Sequence, residues 1–156
     1  MQDGHKNDSH QQDVQTITRL HNVWTTANRK GSIAMMREAF VGGDKFFGYN
    51  LNGWAYSGIE EWATLWKFLI GSKARVKLGD DEDVKIQIRG DTAWLTCAAD
   101  FVISMEDGTA IPGSGRFRST EIYVREDEHG NPNWKMWHSH FSWAAPKDQP
   151  RMGIDK

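Results

Sequence analysis

The chain has 156 residues, with 38% hydrophobic and 26% charged residues and a net charge of −2, the profile of one globular domain with a real core. Charges of both signs are interspersed, so no basic stripe points to nucleic acid or an anionic membrane. No apolar run nears the ~20 residues that span a bilayer, the polar start lacks a signal peptide's apolar stretch, and the single cysteine, Cys97, excludes an internal disulfide; a cytoplasmic, reducing setting is expected.

Residues 1–12, MQDGHKNDSHQQ, are polar and patternless and read as a disordered tail, with His5 and His10 in solvent. From Asp13, placed to cap a helix, apolar residues fall at Ile17, Leu20, Trp24 and Ala27, the spacing of one helical face. Gly31 breaks that helix and a short second one restarts at Ser32. GGDKFFGYNLNGWAYSG reads as a strand, a turn and a return. IEEWATLWKFLI is a second amphipathic helix, with Trp62, Leu65, Trp66 and Leu69 on one side.

After Gly71 the pattern turns to strands. DVKIQI alternates cleanly, and three longer strands follow, joined by the hairpin turns MEDGT and EDEHGN. Helices first and an antiparallel meander afterwards make an α+β chain of one domain over residues 13–146, with a loose C-terminal tail over 147–156.

Alternation sorts the long strands into two faces. One carries Ala93, Leu95, Cys97, Ala99 and Phe101, then Phe117, Ser119, Glu121 and Tyr123, then Trp137, Ser139 and Phe141. It is an apolar wall with a single acid, Glu121, and it suits a ligand chamber. The other face carries Asp100, Arg116, Arg118, His138 and His140 and suits a patch sealed by a twofold partner. His138 and His140 point the same way, as metal ligands would, but Asp100 is the only obvious third ligand. A His138–Asp100–Arg118 network at an interface is expected instead, and no metal. A bulge in either long strand would reverse the faces and make His138 or His140 the natural general base, with an unperturbed pKa near ~6.5.

YSGIEEW, RGDTAWLT, RSTEIYVRED and NWKMWHSHFS, in this order and spacing, resemble the SnoaL-like branch of the nuclear transport factor 2-like, or ketosteroid isomerase-like, superfamily, over roughly residues 13–145. The resemblance implies N-terminal helices packed in a strongly curved antiparallel sheet, a cone with an internal pocket, and a homodimer formed through the sheet. It places Glu121 where ketosteroid isomerases carry the carboxylic acid of their oxyanion hole. Tyr49 falls where those enzymes keep an aspartate base, and Asn28 where dehydrochlorinase-like members keep a catalytic aspartate. Trp137, Ser139 and Phe141 fall at pocket positions.

The expected catalytic group is therefore Glu121 with Tyr49, and His138 with His140 if the faces are reversed. Trp24, Asn28, Trp54 and Trp66 are expected against the substrate from the helices and the first turn. Ala99, Phe101, Phe117, Ser119, Trp137 and Phe141 are expected against it from the sheet. On an apolar wall the charged form of Glu121 would be disfavoured, so that it could donate a proton. Arg75 and Lys77 read as solvated charges, and Cys97 as a small core residue.

Two functions follow. One is a cofactor-independent acid–base enzyme, an isomerase, lyase or cyclase, acting on an apolar, aromatic or polycyclic small molecule. The other is a noncatalytic binding or oligomerisation domain. Eight tryptophans, seven phenylalanines and three tyrosines suit a flat ligand in either case. No cofactor, nucleic acid or membrane partner is expected.

Overall fold

The structure, a computed structural model, describes residues 3–154 of the chain, with side chains from residue 8 onward. Three helices, α1 (Asp3–Lys30), α2 (Ile33–Ala39) and α3 (Ile59–Gly71), pack inside a strongly curled seven-stranded sheet. The strands are β1 (Phe47–Tyr49), β2 (Ala55–Ser57), β3 (Ala74–Leu78), β4 (Glu82–Arg89), β5 (Thr92–Met105), β6 (Gly115–Arg125) and β7 (Trp134–Trp143). Their order is β2-β1-β7-β6-β5-β3, with β4 also on β5. No helix among the described residues is long and apolar enough to cross a membrane.

Helix α1 buries Ile17, Leu20, His21, Trp24 and Ala27, a stripe at spacings of three and four that lies along the inside of the sheet. Its start differs from the expected one. The helix begins at Asp3, so Asp13 lies inside it and caps nothing, and residues 3–12 are helical. His10 is exposed, while the His5 side chain and residues 1–2 lie outside the described residues. Asp13 bonds instead to Arg125 through both carboxylate oxygens, at 2.7 and 2.6 Å, and accepts from Trp134 Nε1 at 2.9 Å. That clamp ties α1 to the ends of β6 and β7.

Ser32 caps α2 through its hydroxyl, as the break at Gly31 suggested. Gly58 opens α3 at φ 79°, and a Cβ there would meet the Gly43 carbonyl at 3.2 Å, so the chain turns here on a residue without one. Phe40, Phe46 and Trp62 form an edge-on aromatic cluster between the helices and the sheet, with Phe40–Phe46 centroids 4.8 Å apart.

The sheet is mixed rather than antiparallel throughout. β1 pairs β7 in parallel, Phe47 opposite His138 and Tyr49 opposite His140. β3, not foreseen as a strand, pairs β5 at the sheet edge. β7 also contains a bulge. Ile122 pairs His138 while Tyr123 pairs Met136, leaving Trp137 as the extra residue. Ser139 and Phe141 face the core on one side of it, and Met136 and Trp134 on the other. The bulge lies before His138, so it leaves both histidines on the outer face.

Candidate functional site

The inner face of β6 places Ser119, Glu121 and Tyr123 in a row, each nearly or fully buried, with Glu121 at 0% exposure. Four side chains converge on that carboxylate. His21 Nδ1 lies 3.1 and 2.9 Å from its two oxygens. Trp24 Nε1 donates at 2.9 Å, the Ser119 hydroxyl at 3.1 Å and the Tyr123 hydroxyl at 2.7 Å. An indole N–H can only donate, and a carboxylate can only accept from all four. Glu121 thus lies inside, as expected, but as a saturated acceptor. Its surroundings are not the apolar wall that the strand pattern implied, because α1 supplies His21 and Trp24 opposite it.

The imidazole is held from both sides. Nδ1–H donates to Glu121, and Nε2 lies 3.2 Å from Asp81 Oδ2 in the loop between β3 and β4. Burial alone would push the His21 pKa down; the Glu121 charge and the contacts with Asp81 and Glu121 outweigh it and raise it to about 10. Burial works against the charge of Asp81, yet His21 beside it holds the carboxyl below its usual range. Cys97 Sγ lies 3.9 Å from Asp81 Oδ1. Burial, with the Glu121 and Asp81 charges, pushes its thiol far above the ordinary range, and burial beside Glu121 does the same to the Tyr123 phenol.

Trp24 separates this polar centre from an apolar cavity of about 70 Å³. Of the expected contacts, Trp24, Asn28, Trp66, Phe101, Phe117 and Phe141 line it. Asn50, Leu51, Trp62, Leu65, Leu69 and Leu78 line it too and were not singled out as contacts. A second cavity of about 380 Å³ near the C-terminal end of α1 shares Asn28, Trp66, Leu69 and Val76 with it and also takes in Arg75. Arg75 is exposed and paired with Glu106.

The other expected contacts lie elsewhere. Trp54, 69% exposed at the β1–β2 turn, does not line the cavity. Ala99 is sealed in the core opposite Phe117, and Ser119 serves Glu121. Trp137, displaced by the bulge, turns away from the cavity; it donates to the Glu126 carbonyl at 2.8 Å and lies under Lys45 Nζ. Tyr49 is on the outer face with His138 and His140, its ring 5.8 and 5.3 Å from theirs, and although it is only one position from Glu121 in register the sheet lies between them. His138 Nδ1 donates to the Phe47 carbonyl at 2.8 Å. No His138–Asp100–Arg118 network forms among the described residues, since Arg118 contacts Ser142 and Arg116 pairs with Glu82. The outer histidines follow from the parallel β1–β7 pairing and do not approach the interior acid.

Sequence reasoning missed His21 and Asp81. His21 had a signal: it lies four residues after Ile17 and three before Trp24, inside the apolar stripe of α1. A titratable side chain there must find a buried partner. Asp81, one of several acids in GDDED, carried no periodicity to single it out.

The architecture matches known structures over most of the chain. A nuclear transport factor 2-like superfamily protein from Salmonella enterica aligns with a TM-score of 0.72 at 18% identity, covering 90% of this chain and 94% of that one. A proposed dehydratase of the same family from Streptomyces avermitilis aligns with a TM-score of 0.70 at 16% identity, covering 87% and 99%. A proposed ketosteroid isomerase from Shewanella frigidimarina aligns with a TM-score of 0.60 at 19% identity, covering 80% and 92%. At these identities the likeness is one of fold. No curated protein matches in sequence. The SnoaL-like domain model matches residues 17–146, from the buried stripe of α1 to the end of β7, and the chain belongs to the SnoaL-like domain family.

Proposed function

We propose that the protein is an acid–base enzyme, an isomerase or lyase, that binds an apolar, flat small molecule in the cone and moves a proton through His21. The observation that carries this is the placement of His21 between Glu121 and Asp81, one helical turn from the cavity-lining Trp24. Glu121 fixes the ring and its tautomer, leaving Nε2 as the exchanging nitrogen. A positioned imidazole of this kind protonates a departing hydroxyl or a carbonyl oxygen and takes a proton back from carbon. Asp81, part-exposed, is the group through which that proton exchanges with water. The cavity beside Trp24 is small for such a ligand, which therefore occupies the larger adjoining space as well and displaces the Trp24 indole from Glu121. The proposed dehydratase and ketosteroid isomerase among proteins of this fold are consistent with that reaction class.

The full burial of Glu121 favours a second reading, in which the His21 network only holds α1 to the sheet and the cone binds without catalysis. A panel of keto and hydroxylated polycyclic aromatics separates the two. Binding is followed by quenching of tryptophan fluorescence, since Trp24, Trp62 and Trp66 line the cavity. Turnover is followed by ultraviolet absorbance, in the presence of a chelator. For a compound that is turned over, His21→Gln should lower turnover by roughly 10²–10⁴-fold and leave quenching intact. Unchanged turnover in that variant would remove His21 from the chemistry. Quenching without turnover across the panel would favour the second reading.

A further inference from the structure

We propose that His21, Asp81 and Cys97 form a site for one divalent transition-metal ion of the zinc class, with Glu121 orienting the histidine from behind. The three residues come from α1, the β3–β4 loop and β5, and no short motif joins them. A ring nitrogen of His21, a carboxylate oxygen of Asp81 and Cys97 Sγ all lie within 4.8 Å of one another. Nε2 is 3.2 Å from Asp81 Oδ2, and Sγ is 3.9 Å from Asp81 Oδ1. With arms of ~2.0–2.1 Å to nitrogen and oxygen and ~2.3 Å to sulfur, the edges of a zinc tetrahedron are roughly 3.3–3.6 Å, so the His21–Asp81 edge is near the required length and Cys97 Sγ must move inward to close on an ion.

The orientation of Nε2 is an independent observation. His21 is 3% exposed, and among the described residues Nε2 has no aligned hydrogen-bond acceptor. Asp81 Oδ2 is near enough but lies beside the nitrogen's bonding direction rather than along it. Two donor atoms this close without an aligned hydrogen bond between them can serve one ion. Glu121 supplies what a metal-binding histidine needs on its other nitrogen, a carboxylate that takes Nδ1–H and leaves Nε2 to bind an ion once its own proton is lost.

The donor set selects the ion. One imidazole, one carboxylate and one thiolate suit Zn²⁺ or Co²⁺ and fit calcium and magnesium poorly, since those take oxygen ligands. The fourth position opens beside Asp81, whose side chain is 19% exposed while that of Glu121 is sealed, so ion and water enter past the β3–β4 loop. Binding displaces the proton of the Cys97 thiol and any proton on His21 Nε2 to solvent. An ion on Nε2 takes that nitrogen away from proton transfer, so loading would suppress the chemistry proposed above. Binding itself does not depend on that reading. The sequence pointed away from this site because its conspicuous histidines, His138 and His140, are on the other face.

Cobalt(II) tests the site without reference to turnover. Untagged full-length protein, stripped with a chelator and then freed of it, is titrated with Co²⁺ alone. The expected result is saturation at one equivalent, with a near-ultraviolet thiolate-to-cobalt charge-transfer band and the strong visible bands of a four-coordinate ion. Cys97 is the only cysteine, so the charge-transfer band can come from no other residue. Cys97→Ser should abolish that band with an unchanged circular dichroism spectrum, and His138→Gln should leave it intact. Glu121→Gln, where it folds, should weaken binding by about 10–100-fold. A folded wild-type protein that shows no charge-transfer band with excess Co²⁺ would overturn the proposal. So would visible bands that persist undiminished in Cys97→Ser. The His21→Gln turnover assay is run with chelator present, so the two proposals fail separately.

Discussion

Trp24 Nε1 donates to Glu121 Oε1 across 2.9 Å, and the same indole walls the apolar cavity. One side chain therefore joins the compartment that would hold a ligand to the compartment that holds charge. Trp24→Phe keeps an aromatic wall but removes the donor. Glu121, fully buried, would then rely on three partners. The expected loss is about 1–3 kcal/mol of stability, the cost of an unmet bond to a buried charged group, read as a lower urea midpoint at unchanged slope. A midpoint equal to wild type would mean that the other donors satisfy the carboxylate without Trp24.

Gly48 shows how closely β1 lies against β7. A Cβ at this position would meet the Phe46 ring at 2.8 Å and the Ser139 hydroxyl at 3.1 Å. Both neighbours are buried, so neither can swing into solvent. Gly48→Ala should cost about 1–3 kcal/mol through overpacking, although alanine ordinarily favours a strand over glycine. A variant as stable as wild type would show that the Phe46 ring yields at no cost.

Much of this architecture was legible because it rests on periodicity. The α1 stripe, the α3 face and the alternation of β5 and β6 each repeat over several turns or pairs, and the inward direction of Glu121 followed from them. What was not legible depended on partners distant in sequence. Tyr49 faces outward because β1 joins β7 in parallel, which no local pattern encodes. Trp137 turns away because one extra residue enters β7 there, and a bulge leaves no mark on composition. The polar surroundings of Glu121 were missed for the same reason. The strand showed its apolar neighbours, whereas its main partners, His21 and Trp24, come from a helix about a hundred residues earlier.

The outer face carries exposed Phe47 and Tyr49 beside His138 and His140. A homodimer closed over this face is the expected assembly, burying on the order of 2,000 Å² if obligate. Light scattering at micromolar concentration should give twice the chain mass, and Tyr49→Lys should shift it toward the monomer. A monomeric wild type would rule this out. In either case His138→Gln and His140→Gln should leave turnover of any substrate within about twofold of wild type, because neither ring reaches the interior; a dead variant would move the chemistry to this face.

Acid sensitivity should come in part from the clamp on α1. Hydrogen bonds from Arg125, opposed by burial and helped by Trp134, hold the Asp13 carboxyl below its usual range. The folded state thus binds this proton less tightly than the unfolded chain does. Its contribution to stability is present above the unfolded value near ~3.9 and is lost as pH falls through the lower folded value. Asp13→Asn keeps an acceptor for Trp134 but removes the charge facing Arg125, and should cost about 1–3 kcal/mol at neutral pH. That difference from wild type should shrink as the pH is lowered below ~4, where the wild-type carboxyl also becomes protonated. Urea midpoints of both proteins across this range are the measurement. A gap that stays constant down to the acid limit would show that Asp13 stabilises by packing and not by its charge. Because α1 also carries His21 and Trp24, the same loss of the clamp should raise the ligand concentration needed to quench the cavity tryptophans before it unfolds the chain.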